Sequence, residues 1–201
     1  NSYNITTGQT ITNNGTLTIE DTASNHGTFN VAQTIVNNNT LNLNNITLAQ
    51  SSNTQNTIEN HKDINVTNST VTAKNGYALY NKNEGDLTFD SNTTFTSTGK
   101  YRFYNDSTEE VNLIGGNFAG IHNKGDNLIV NGTTITNPTN NPAIYNEKGT
   151  ITLKNCNATT SNKSVLDNKA TVNIESGTYE TTNTYTLNNN SWATLNITGD
   201  D

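Results

Sequence analysis

The side chains that could move protons, hold a metal ion or attack a substrate are sparse in this sequence. Cleavage of a polysaccharide needs either a carboxylate cluster for Ca²⁺ with a strong base beside it, or two or three aligned acids. The acids here are dispersed: Glu84 and Asp86 fall in one segment, Glu109 and Glu110 in the next, and Asp126 stands alone in a third. Arg102 is the sole arginine, and His26, His61 and His122 fall in three different segments and cannot be argued into one metal site. Cys156 is the sole cysteine, so it has no intrachain partner and reads as a small core residue. These counts predict no cofactor and no metal centre. A different chemistry recurs in Tyr80-Asn81, Tyr104-Asn105, His122-Asn123 and Tyr145-Asn146. An aromatic ring with a hydroxyl or imidazole suits sugar rings and polar partner surfaces, provided the fold brings the four together.

Their spacing belongs to a repeat. With h for an apolar residue, the chain is built from h-x-Asn followed a few residues later by h-x-h. The pattern runs through Ile58-x-Asn60 with Ile64-x-Val66, Leu79-x-Asn81 with Leu87-x-Phe89, and Phe103-x-Asn105 with Val111-x-Leu113. It continues through Ile121-x-Asn123 with Leu128-x-Val130, Ile144-x-Asn146 with Ile151-x-Leu153, Leu166-x-Asn168 with Val172-x-Ile174, and Leu187-x-Asn189 with Leu195-x-Ile197. A third apolar residue follows all but the last of these pairs, at Val71, Phe95, Phe118, Ile135, Ala158 and Tyr179. Alternation of this kind marks short strands with one buried face. Three strands per cycle suit a chain that winds once per repeat and pairs each strand with its equivalent one turn later.

The expected fold is therefore all-β, a single right-handed parallel β-solenoid over residues 1–201, with about seven turns of 18–24 residues in 58–201. In residues 8–45 the signature returns every 12 residues, at Ile11-x-Asn13, Ala23-x-Asn25 and Ile35-x-Asn37. That spacing predicts smaller or half-turn coils there. Stacked equivalents lie about 4.8 Å apart, close enough for each Asn amide to donate to the next. Asn60, Asn81, Asn105, Asn123, Asn146, Asn168 and Asn189 are thus predicted to form an internal ladder, helped by the tolerance of Asn for left-handed corners. The middle residue of each h-x-Asn points the opposite way, which predicts an outward stripe of Tyr80, Tyr104, His122 and Tyr145. Stacking would also bring Glu84, Glu109 or Glu110, and Asp126 to one face, where solvated charge is the simpler reading. Trp192, in the last turn, is expected to pack over the open end.

Composition agrees with a rod. Asn makes up about a fifth of the chain, hydrophobic residues 30% and charged residues 13%. Low hydrophobicity with low charge differs from ordinary disorder, and a solenoid needs only one narrow apolar column per face. A net charge of −7 with ten scattered basic residues speaks against a nucleic-acid footprint, and no apolar run is long enough to cross a bilayer as a helix. The start at Asn1, without a leader, predicts that the chain is excised from a longer precursor.

The units "NGYALYNKNEGDLTF", "NPAIYNEKGTITL" and "KSVLDNKATVNIESGTYE" resemble the right-handed β-helix repeats of large adhesin-like surface proteins of Gram-positive bacteria and methanogenic archaea. The likeness covers 58–201 well and 1–57 less well. It implies an extracellular, cell-surface or cell-wall location and a non-catalytic role as an adhesin or stalk segment, monomeric within a longer chain. The implied partner is a glycan or protein on a host or neighbouring cell. The same fold occurs in pectate lyases and polygalacturonases, so a polysaccharide lyase or glycoside hydrolase is the alternative, and a structural spacer without ligand is a third reading.

Overall fold

The computed structural model describes residues 2–5, 10–23, 26–99, 101–182 and 185–199. It is a right-handed parallel β-solenoid of three sheets, each nine strands deep, with no helix among the described residues. The h-x-Asn strands, from Ile11–Asn13 to Leu187–Asn189, make the ladder sheet. The h-x-h strands, from Thr16–Glu20 to Thr194–Ile197, make the alternating sheet, and the strands from Ser2–Ile5 to Gly177–Thr181 make the closing sheet. Every pairing joins a strand to its equivalent one coil away, as with Leu79–Phe103, Leu87–Leu113 and Val71–Phe95.

The register follows from burial. The strand Ile121–Asn123 carries its first and third residues buried and the middle one outward, and in Thr150–Lys154 Ile151 and Leu153 are buried with Thr152 outward. A slip by one residue would expose every apolar side chain, so a two-residue period on three faces fixes one register. Ile58, Leu79, Phe103, Ile121, Ile144 and Leu166 stack as one fully buried column. On the closing sheet Leu48, Val71, Phe95, Phe118, Ile135 and Ala158 do the same. The predicted third strand of each cycle is this sheet.

The predicted ladder is present and longer than expected. Nδ2 of Asn13 donates to Oδ1 of Asn37, Asn37 to Asn60, and Asn60 to Asn81, at 2.7, 2.7 and 2.9 Å. Asn81, Asn105, Asn123, Asn146 and Asn168 continue it to Asn189 over bonds of 2.8 to 3.0 Å. Asn37 through Asn168 are fully buried. The second amide hydrogen of several ladder residues reaches the carbonyl two residues on, as in Asn37 to Asn39, Asn81 to Asn83 and Asn123 to Gly125. One such amide therefore ties its coil to the next and closes its own tight turn.

Left-handed corners fall to other residues. The ladder asparagines are in strands, whereas Asn45, Asn68 and Asn155 have φ of 56°, 45° and 50°, at the corner between the alternating and closing sheets. Asn68 Nδ2 donates to Asn45 Oδ1 at 3.0 Å, a second, shorter ladder. Where the corner into the alternating sheet is tightest, Gly149 has φ of 70° and a side chain there would strike the Gly125 and Asp126 carbonyls, so no other residue fits.

The N-terminal coils correct the expectation of half-turns. Ile11 pairs with Ile35 and Asn13 with Asn37, so the structural repeat there is 24 residues, the same size as below. Phe29-x-Val31 belongs to the closing sheet, paired with Leu48 and Gln50, rather than repeating Leu17-x-Ile19. Asn25 of the middle 12-residue unit lies outside the described residues. The error has a simple origin: alternation states that one face is buried but is the same for any of the three sheets. Nor does Trp192 cover the end. It is 96% exposed on the turn between the last two strands.

Candidate functional site

The outward column of the ladder sheet runs Glu59, Tyr80, Tyr104, His122, Tyr145, Asp167. The four expected residues are adjacent, one per coil, and each is half-buried. Ring centroids are 5.2 Å apart for Tyr80 and Tyr104, 4.7 Å for Tyr104 and His122, and 4.7 Å for His122 and Tyr145. The first two pairs meet edge to face, the arrangement their quadrupoles favour, so the strip is a packed aromatic ridge rather than a row of parallel plates.

Two rings missed by the sequence reading back this ridge. Tyr77 stacks on Tyr104 at 4.7 Å and 17°, and Tyr101 lies against His122 at 5.2 Å and parallel to Tyr145 at 6.1 Å. Tyr101 is buried and packs over Gly120 of the next coil. Gly120 has φ of 110°, and a side chain there would crowd Tyr101 and Asn137. The signal was available as the shared Tyr-x-h-Tyr-Asn of "YALYN" and "YRFYN".

Charges frame the ridge. The residue after each ladder Asn donates its backbone N–H to the ladder Asn one coil earlier, which stacks Lys82, Asp106, Lys124, Glu147 and Lys169 in a second column of alternating sign. Tyr80 Oη donates to Asp106 at 3.2 Å, and His122 Nε2 lies 2.8 Å from Glu147. Lys82 sits 5.2 Å over the Tyr80 ring and pairs with Glu59 at 3.1 Å, while Lys169 sits 5.1 Å over Tyr145. The two ends of the ridge are thus each covered by an ammonium group. Burial, then the Asp106 charge, pushes the Tyr80 phenol up to about 12, and burial first also raises Tyr77, Tyr101 and Tyr104. Burial works against the Glu59 carboxylate, but His61 and Lys82 hold it below the usual range.

His122 is displaced downward from 6.5, because burial disfavours the imidazolium more than Glu147 supports it. Protonation of His122 therefore occurs below the ordinary value of about 6.5. Below 6.5 the unfolded chain takes up this proton more readily than the folded one, so stability present above that pH is lost as pH falls toward the folded value. Thermal stability is expected to decline between pH 7 and 5.5 in the parent protein and less steeply in His122→Gln. Equal slopes in a pH series of melting curves would contradict this.

The other candidates are placed apart. Glu84, Asp86 and Glu110 line a shallow groove with Asp63, but Lys62 binds Glu84 at 2.7 Å and Asn127 binds Glu110 at 2.9 Å. Glu109 is exposed, and Asp126 pairs instead with Lys148 at 2.7 Å. Among the described residues, no group of three or more His, Cys, Asp or Glu is placed to hold a metal. His61 pairs with Glu59 at 3.0 Å, away from His122, and His26 is exposed. Arg102 is buried in the corner column between Ala78 and Gly120, where it donates to the Gly99 carbonyl at 3.0 Å. Burial pushes the Cys156 thiol up to about 11, which leaves almost no thiolate at neutral pH. Comparison of the chain with protein-family models, curated proteins and solved structures finds no match.

Proposed function

We propose that this chain is a non-catalytic, rod-like segment of an extracellular adhesin or stalk, in which the aromatic ridge meets a glycan or protein on a neighbouring surface. The observation that carries the reading is the segregation of chemistry. Tyr80, Tyr104, His122 and Tyr145 gather half-exposed on the outer face of one sheet, backed by Tyr77 and Tyr101 at its edge, on a rod whose other outward positions are mostly Thr and Asn. A contiguous half-exposed aromatic surface on a polar background is what partner recognition uses. The rod supports it physically: every coil is held to the next by three strand pairings and one buried amide bond, so the ridge stays straight and pre-ordered. Each contact is weak, and attachment comes from many copies acting together.

Changing Tyr80, Tyr104 and Tyr145 together to Ser is expected to reduce adhesion of cells or glycan-coated beads to the displayed protein at least tenfold. The circular-dichroism spectrum of a β-solenoid should survive. Unchanged adhesion by a folded triple variant would reduce the ridge to a stiffener and leave a structural spacer.

A further inference from the structure

The charge column beside the ridge carries more information than the rings alone. Sign alternates at every coil, Lys82, Asp106, Lys124, Glu147, Lys169, so donors repeat every two coils and acceptors every two coils between them. Two coils span about 9.6 Å, twice the inter-strand spacing. Lys124 and Glu147 are exposed, Asp106 is partly so, and Asp106 and Glu147 each use one carboxylate oxygen on Tyr80 and His122.

An extended β-1,4-linked glycan has the matching symmetry. Its sugars advance by a length close to one coil and turn over by half a turn at each step, so equivalent hydroxyls face the same side every second sugar. Resting on the proposed function above, we infer that the ridge and its charge column together bind a neutral, extended β-1,4-linked glycan chain lying parallel to the rod axis, one sugar per coil. The sugars lie along the half-exposed edges of the Tyr80, Tyr104, His122 and Tyr145 rings, while hydroxyls alternately accept from Lys124 and donate to Asp106 and Glu147. The ligand is uncharged because a column of nearly balanced sign attracts neither a polyanion nor a polycation strongly. Lys82 over Tyr80 and Lys169 over Tyr145 close the two ends, which sets the length at about four sugars for four coils.

The test is calorimetric titration of the full chain with cellohexaose, cellotetraose, cellobiose and, as an α-linked control that coils, maltohexaose. Affinity is expected in the micromolar-to-millimolar range for cellohexaose. It should be similar for cellotetraose, at least tenfold weaker for cellobiose and maltohexaose, and little changed by salt. Lys124→Glu breaks the alternation without touching a ring and should weaken cellohexaose at least fivefold, with an unchanged circular-dichroism spectrum. Equal binding of the two hexaoses, no binding of cellohexaose, or full affinity in folded K124E would each overturn the inference. If the triple Tyr variant loses cell adhesion while the parent ignores cellohexaose, the ligand class falls and the ridge remains an adhesive site. If that variant adheres normally, the proposed function falls as well.

Discussion

Asn123→Leu is expected to destabilise the rod by about 3–6 kcal/mol, because it strands several buried polar groups at once, each worth about 1–3 kcal/mol. Asn105 loses the acceptor for its Nδ2 at 2.9 Å, and Asn146 Oδ1 loses its donor at 3.0 Å. The Gly125 and Lys148 carbonyls lose the amide that reaches them at 3.1 and 2.8 Å. Leucine keeps the branched outline of Asn with bulkier ends and puts nothing polar in their place. At about 2–4 °C per kcal/mol for a chain of this length, the melting midpoint should drop by roughly 6–24 °C. Because coils couple only to their neighbours, a break at mid-rod should also broaden or split the transition. Asn65→Leu, on the exposed face of the alternating sheet, is the control and should shift stability by less than about 0.5 kcal/mol. Similar melting of the two variants would show that the ladder contributes no more than surface asparagines.

Phe118→Ala should be comparably severe, at about 3–5 kcal/mol, for an apolar reason. Phe118 is stacked on Phe95 at 4.5 Å and 3°, and meets Phe89 and Phe103 edge to face at 5.6 and 5.9 Å. Its coil is the shortest, with 18 residues between Asn105 and Asn123, and its closing strand is only Asn117–Phe118. Phe118 fills this coil together with Phe103, Val111 and Leu113, all fully buried. The Gly115–Gly116 corner before it, with φ of 74° and 75°, holds the backbone close to Phe89 and Phe118 and has little freedom to collapse into a void. Phe118→Leu keeps most of the volume and should cost less than half as much. Denaturant unfolding of the two variants reads the difference, and a loss under 1 kcal/mol for alanine would mean the coil repacks.

Most of the architecture was legible in the chain because a solenoid is local. Leu79 and Phe103 occupy the same place in successive repeats, so reading the repeat already states the pairing, and identical Asn residues stacked that way have one satisfying partner each. The outward set Tyr80, Tyr104, His122 and Tyr145 followed from the same alternation. The adhesive role does not follow from any of this. Stacking rules specify a rod and a set of faces, and recognition depends on what meets them.

What tertiary structure alone decided is whatever depends on which sheet a strand joins and on what the next coil leaves empty. The 12-residue spacing at the N-terminus looked like a coil because alternation carries no sheet label, and only closure around a three-sided core assigned Phe29-x-Val31 to the closing sheet. Tyr101 entered the ridge because Gly120 one coil below leaves room for its ring, a fact about two repeats together. The downward shift of His122 came from burial among neighbouring rings, and the removal of Asp126 from the acidic groove from the reach of Lys148. Side-chain type and period set the register of the backbone, whereas burial, ring contacts and ion pairing arise between coils that the period treats as equivalent and the packing does not.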